Sequence, residues 1–409
     1  MASPPALIAL ALALGAGLAP GARAQKPRLK DQPPNAPVQC PYCFADPELM
    51  AAVGVVSHGG FEFARTDTAG VDALLAEADI KWIETEHFEI GLALGPVKVT
   101  DEEKVKVRAE CARLAEKLPE IPAKPRLLDP WLRAHLYAQR AQDHWRTMTT
   151  EILEVRDEDF PPVPTVWMIG TPYWGIGPHL GQEGKYEVIL LPSEAASRFF
   201  LEDQFGLIVK VSQRWNVIER DSLIAVIHTQ QGQLRLDEAL HGHFVFHLTH
   251  LLFNGYKHYS YQGPIWLREG LAHHMERRVN PEHNTFDFSE GAAAEMSRKA
   301  SWEPPTLALV RGGEAKSLAQ LTRMADFGDL ERDDHFVTWS MVDYLVREHP
   351  GFLAKLLADL KGLMDEEHKA DGSLVPEAQR RAFKEHLGMN YLRFDEAWAA
   401  WVLEDYAAN

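Results

Sequence analysis

Cysteine is nearly absent, with three residues in 409, which excludes a small scaffold stapled by several disulfides. Basic residues are also in short supply: 42 Lys and Arg stand against 59 Asp and Glu, for a formal charge of −17. A chain this acidic has no electrostatic footprint for a phosphate backbone, so nucleic acid is not an expected partner. No segment offers the roughly 18 uninterrupted apolar residues that a membrane helix needs, so no span is expected in the mature chain. A Gly-x-Ser-x-Gly elbow is missing. The glycines of GTPYWGIGPHLGQEGK, residues 170–185, lack the Lys-Ser/Thr ending of a P-loop, and the segment reads as a surface loop that Tyr173 and Trp174 anchor, the alternative being that they cover a cleft. What is present is 46% apolar residues, enough to bury one large core or two moderate ones.

The amino terminus departs from this picture. Ala6 to Leu18 is an apolar run that ends in Ala22-Arg23-Ala24 before Gln25. The pattern predicts a secretory signal peptide over residues 1–24 and a secreted, periplasmic or cell-envelope location. Its removal leaves 41 basic against 59 acidic residues, or −18. Residues 25–39, polar and rich in proline, read as a tether. A Cys-bearing region over 40–125 and a larger domain over 126–409 follow.

Cys40 and Cys43 form Cys-Pro-Tyr-Cys, and Cys111 stands alone in an expected helix. In an exported chain the simplest expectation is one structural disulfide, within the pair or from one of its members to Cys111. Two alternatives stay open: a thiol redox site, and a metal site completed by Cys111 and a histidine such as His58.

Residues 80–94 alternate apolar and polar as a half-buried strand does, with His87 as a packed or edge residue. A helix is expected over 100–118, opened by Thr100 with Glu103 three residues on. A second amphipathic helix falls between about 126 and 160, behind Asp129-Pro130. Strand patterns recur at 165–170, 186–192 and 222–232, and from Leu236 onward the periodicity is helical. The expected class is therefore α+β.

The segment from Asp237 to Asn254 is apolar on nearly every side, which marks a buried helix. Its polar exceptions align: His243, His247, His250 and Asn254 fall within a stripe of roughly 40–60°. A buried imidazole must be hydrogen-bonded, metal-bound or facing a cleft. His241 is expected to be exposed ahead of this stretch. A second helix, about 264–279, carries Glu269 in Trp266-Leu-Arg-Glu-Gly-Leu-Ala272, followed by His273, His274 and Glu276. His274 and Glu276 are expected on its solvated face, Glu276 having the alternative of orienting an imidazole.

FHLTH (Phe246 to His250) and WLREGLA (Trp266 to Ala272) together resemble the gluzincin peptidases, the HExxH...E branch of the peptidase MA-like fold. The resemblance covers residues 160–409. It implies a zincin-like strand-and-helix lobe, a mostly helical lobe and a cleft between them, in which an extended peptide lies along an edge strand. Here 222–232 would be that strand. In the family, two His and the Glu hold zinc, and the Glu of HExxH activates the bound water.

The signature is degenerate. Phe246 stands where the first metal-binding His belongs and His247 where the general-base Glu belongs, so only His250 and Glu269 match ligand positions. Phe336, in HFVTWSMVDYL, stands where an aromatic hydroxyl would steady an oxyanion. Two protein ligands do not make the usual catalytic zinc site. The expected function is thus non-catalytic, with no cofactor: a peptide or protein segment held in a peptidase-like cleft, or a structural role. A zinc-dependent hydrolase with a rearranged ligand set drawn from His243, His247 and His273 is the alternative. His243 and His250 lie two turns, about 10.5 Å, apart along the axis and cannot share one ion. A Cys40-Cys43 redox or metal-handling protein is a second alternative.

Overall fold

The computed structural model describes residues 39–160, 173–286, 300–325 and 327–408. The signal-peptide segment, most of the tether and the strand expected at 165–170 lie outside these residues. Six strands form one mixed sheet: β1 (Val55–Ser57), β2 (Lys81–Thr85), β3 (Phe88–Leu92), β4 (Tyr186–Leu191), β5 (Gln213–Val217) and β6 (Ser222–His228), in the order β1-β2-β3-β4-β6-β5. The central pairs β3/β4 and β4/β6 are parallel, and the outer pairs are antiparallel.

The single strand expected over 80–94 is a hairpin. Ile83 pairs with Ile90 and Glu84 with Glu89, and the Phe88 N–H donates to Thr85 Oγ1 at 3.1 Å to close the turn. Alternation continues across the turn, so apolar patterning alone does not expose it. The edge beside the signature helix is also different from the expectation. Residues 222–228 form β6, paired on both sides, and the edge is β5, which sequence patterning overlooks because Gln213, Arg214 and Asn216 interrupt its apolar content.

Period-two alternation sorts side chains to two faces. Tyr186, Val188 and Leu190 of β4 and Leu223, Ala225 and Ile227 of β6 enter the main core. Ile189, Leu191, Ile224 and Val226 enter a second cluster with Phe200 and Leu201 of helix α3 (Glu194–Phe205). The main core lies under α1 (Lys104–Ala115), α2 (Pro130–Thr147) and α4 (Asp237–Gly255). Asp129 caps α2, accepting from the Trp131 and Leu132 N–H groups at 3.0 and 3.1 Å, with Pro130 in the first turn. The Thr100/Glu103 box forms ahead of α1, the Glu103 carboxylate accepting from the Thr100 N–H at 2.7 Å.

After α4 the chain is helical: α5 (Ile265–Val279), α6 (Glu303–Gly312), α7 (Arg332–Glu348), α8 (Phe352–Leu360), α9 (Val375–His386) and α10 (Tyr391–Ala408). Helix α5 packs between α4 and α7. Gly270 sets the α5–α7 approach, because a Cβ there would sit 2.5 Å from the Thr338 carbonyl oxygen. The architecture is α+β, and no boundary falls near residue 125. Residues 40–125 contribute β1, β2 and β3 to the common sheet, and the chain from Cys40 onward forms one unit.

Candidate functional site

Every residue of α4 except Glu238 is buried, so each imidazole on it must be satisfied within the protein. The stripe read from the sequence divides into two halves. In the first, Arg214 of β5 places Nη1 2.8 Å from His247 Nδ1, and His247 Nε2 lies 3.0 Å from His243 Nε2. His243 Nδ1 meets Thr285 Oγ1 at 3.0 Å. A guanidinium can only donate, which assigns the chain: Arg214 donates to His247, His247 to His243, and His243 to Thr285. Burial and then the Arg214 charge push the His247 pKa well down, so the ring is neutral as this direction requires. Both rings are engaged in hydrogen bonds, and among the described residues neither joins a metal-ligating group.

The second half links α4, α5 and α7. His250 Nε2 lies 3.0 Å from Glu269 Oε1, and His273 Nε2 lies 3.9 Å from Glu269 Oε2. His273 Nε2 also meets His335 Nδ1 at 3.0 Å, while its Nδ1 donates to Glu276 Oε1 at 2.7 Å. Glu276 further accepts from the Thr285 N–H at 3.0–3.1 Å, fastening the segment after α5. Burial drives the Glu276 pKa well up against these hydrogen bonds, and burial followed by the His335 charge drives that of His273 well down. His250, Glu269 and His273 are 0% exposed and His335 is 2%.

Several expectations change here. Glu276 is buried and holds an imidazole instead of facing solvent. His241 and His274 are buried too, His274 Nδ1 lying 3.5 Å from Asp343 of α7. Phe336 turns away to pack edge-on against Trp302, with ring centroids 5.1 Å apart, and His335 is the α7 residue that faces the cluster. The sequence signal for His335 was present one position away, but a resemblance read through aromatic hydroxyls selects the wrong neighbour on the helix.

The gluzincin ligand set does not fit these residues. The Phe246 ring fills the first ligand's place, 4.9 Å from the His250 ring and 5.2 Å from the His273 ring. A different set, Glu269, His273 and His335, brings its ligand atoms within 4.8 Å of one another and could hold a metal ion.

A cleft of about 370 Å³ runs between β5 and α4. Gln213, Arg214, Asn254, Tyr259, Arg268 and Phe327 are among the residues that line it. Phe327 is flanked by both guanidiniums, Arg214 at 5.5 Å and Arg268 at 5.1 Å, and its ring centroid is 6.2 Å from that of His250. Arg214 also lies 5.8 Å over Phe246. Arg214 and Phe327 line the cleft, whereas His250 and Glu269 do not. Arg214 and Phe327 therefore touch both the cleft and the residues of the buried stripe.

The cysteines occupy another place. All three are buried, and no two of them stand at disulfide distance. The Cys40 and Cys43 side chains instead meet imidazoles: Cys40 Sγ lies 3.2 Å from His135 Nε2 and Cys43 Sγ 3.0 Å from His58 Nε2. These four residues bring ligand atoms within 4.8 Å of one another, and Cys111 is outside the group. His58 was legible as a partner for the pair. His135, one buried position of an ordinary amphipathic helix, carried no distinguishing signal. Tyr173 and Trp174 anchor the loop before β4, the Lys257 ammonium lying 4.5 Å over Trp174. No family model and no curated protein matches the chain.

Proposed function

We propose that the protein holds an extended acidic peptide or protein segment in the cleft beside β5, outside the cytoplasm, and does not hydrolyse it. The observation that carries this reading is the lining of the cleft: Arg214 and Phe327 line it, whereas His250 and Glu269 are 0% exposed and do not. Hydrolysis at a metal requires an open coordination position that substrate can reach. Binding requires only an edge strand with unpaired backbone groups and pockets beside it, and β5 provides the edge. Among the described residues, the lining contains Arg214 and Arg268 and no carboxylate, which favours a segment carrying Asp, Glu or a C-terminal carboxylate.

Panning a displayed peptide library should enrich acidic sequences. Arg268→Ala should weaken the selected peptides about tenfold, as loss of one charge-assisted hydrogen bond does. The wild type should cleave none of them. Cleavage that a chelator abolishes would overturn this reading. It would favour the second one, a zinc hydrolase using Glu269, His273 and His335. That alternative has one specific point in its favour: the Glu276–His273 hydrogen bond resembles the carboxylate–imidazole pairs that steady metal ligands. Under it Glu269→Gln would abolish turnover, whereas under the binding reading the same change leaves peptide affinity intact.

A further inference from the structure

We propose that Cys40, Cys43, His58 and His135 form a closed tetrahedral zinc centre that fastens the start of the folded chain to the sheet and to α2. The four residues come from three places distant in sequence. Cys40 and Cys43 flank a tight turn, His58 follows β1, and His135 lies on α2. In a tetrahedral site with Zn–S near 2.3 Å and Zn–N near 2.0–2.1 Å, ligand atoms stand roughly 3.3–3.8 Å from one another. The observed group, with two S–N pairs at 3.0 and 3.2 Å and every ligand atom within 4.8 Å of the rest, needs only small side-chain adjustments to meet that geometry.

The chemistry of the donors selects the metal. Two thiolates and two imidazoles on a Cys-x-x-Cys frame suit zinc, and four protein ligands leave no position for water or substrate, which makes the centre structural. His58 is prepared for this role: its Nδ1–H donates to the Trp82 carbonyl at 3.0 Å, which leaves the Nε2 lone pair toward Cys43. The His135 ring is held by its neighbours, edge-on to Tyr42 with centroids 6.4 Å apart and to His58 at 5.8 Å. Its Nδ1 has no hydrogen-bond partner among the described residues.

The backbone agrees with a knuckle held from outside. The Phe44 N–H donates to the Cys40 carbonyl at 3.0 Å and the Asp46 N–H to the Cys43 carbonyl at 2.8 Å. Phe44 and Ala45 both adopt left-handed φ, 55° and 50°, a conformation that non-glycine residues hold only under constraint. A dithiol built for exchange would need an exposed sulfur, yet Cys40 is 1% and Cys43 0% exposed. Zinc binding converts two thiols to thiolates and releases their protons, so affinity should fall as pH falls.

The test is elemental analysis of full-length protein purified without a metal-affinity tag from zinc-supplemented culture. About one zinc per chain is expected. Cys43→Ser and His135→Ala should each lose it, and Glu269→Gln should keep it. Because those variants can fail to fold, the unmutated protein is also reconstituted with Co²⁺. Tetrahedral d–d bands with a thiolate-to-cobalt charge-transfer band are expected. A metal-free chain, a Cys40–Cys43 disulfide by mass, or a cobalt spectrum without a sulfur band would each overturn the proposal. None of these outcomes touches the cleft, whose peptide binding is measured separately.

Discussion

Asp237→Ala should destabilise the protein by about 3–5 kcal/mol at neutral pH, the usual cost of stranding a buried charge partner. Asp237 opens α4 and is 1% exposed. Its carboxylate forms an ion pair with Arg140 Nη1 at 2.8 Å and accepts from Arg133 Nη2 at 3.4 Å and the Tyr137 hydroxyl at 3.3 Å. Arg140 also pairs with Glu110 of α1 at 2.8 Å. One carboxylate therefore ties α1, α2 and α4 together at the end of the helix that carries the histidines. Truncation leaves two buried guanidiniums with a single carboxylate between them, and removes a negative charge from the N-terminus of α4.

The pH dependence has a definite sign. Burial pushes the Asp237 pKa up, but Arg140 and Arg133 more than offset this and hold it below the ordinary carboxylate value. A group whose folded pKa is depressed contributes stability that is present above its unfolded value, about 3.9, and lost as pH falls through the folded value. Urea denaturation of wild type and Asp237→Ala should therefore differ widely at pH 7 and converge only as pH falls below the ordinary carboxylate range. Asp237→Asn, which keeps the shape and loses the charge, should fall between them. A difference below about 1 kcal/mol at pH 7 would show that the arginines find other partners and that the network is not what seats α4.

The double substitution Phe246→His with His247→Glu should bind one more zinc per chain than its parent. The Phe246 ring already stands beside His250 and His273, so an imidazole in its place would join His250 and Glu269 as a third ligand one helical turn away. Replacing a buried phenyl by a polar ring and breaking the His247–His243 hydrogen bond should together cost about 2–5 kcal/mol, partly recovered when metal binds. Peptidase activity is not expected from this change alone. The carboxylate introduced at position 247 would meet the Arg214 guanidinium that now lies 2.8 Å from His247, and the resulting ion pair would occupy the group needed to activate water. Adding Arg214→Ala should release that carboxylate. Zinc content and calorimetric titration of the double variant are the decisive measurements. If it folds and takes up no more zinc than the parent, then positions 246, 250 and 269 do not converge on one ion and the resemblance to gluzincins is misleading.

The sequence by itself determined what local pattern can encode. The all-round apolar character of residues 237–254 marked a buried helix, and α4 spans Asp237–Gly255. The 3.6-residue period placed His243, His247 and His250 on one line. Asp129-Pro130 and Thr100 with Glu103 marked helix starts, because capping is chemistry within a few residues. Tertiary structure decided everything that depends on partners distant in the chain. It joined residues 40–125 to the common sheet, made β5 the edge, turned His335 toward His273 instead of Phe336, and buried Glu276 under Thr285. It also set Arg214, 33 residues before His247, over the buried cluster, and brought His135 to Cys40 across 95 residues. Helical and strand periodicity state which side of an element is polar. They carry no information about which polar group will arrive opposite, since that is fixed by how the elements pack and which buried donors and acceptors must then be satisfied.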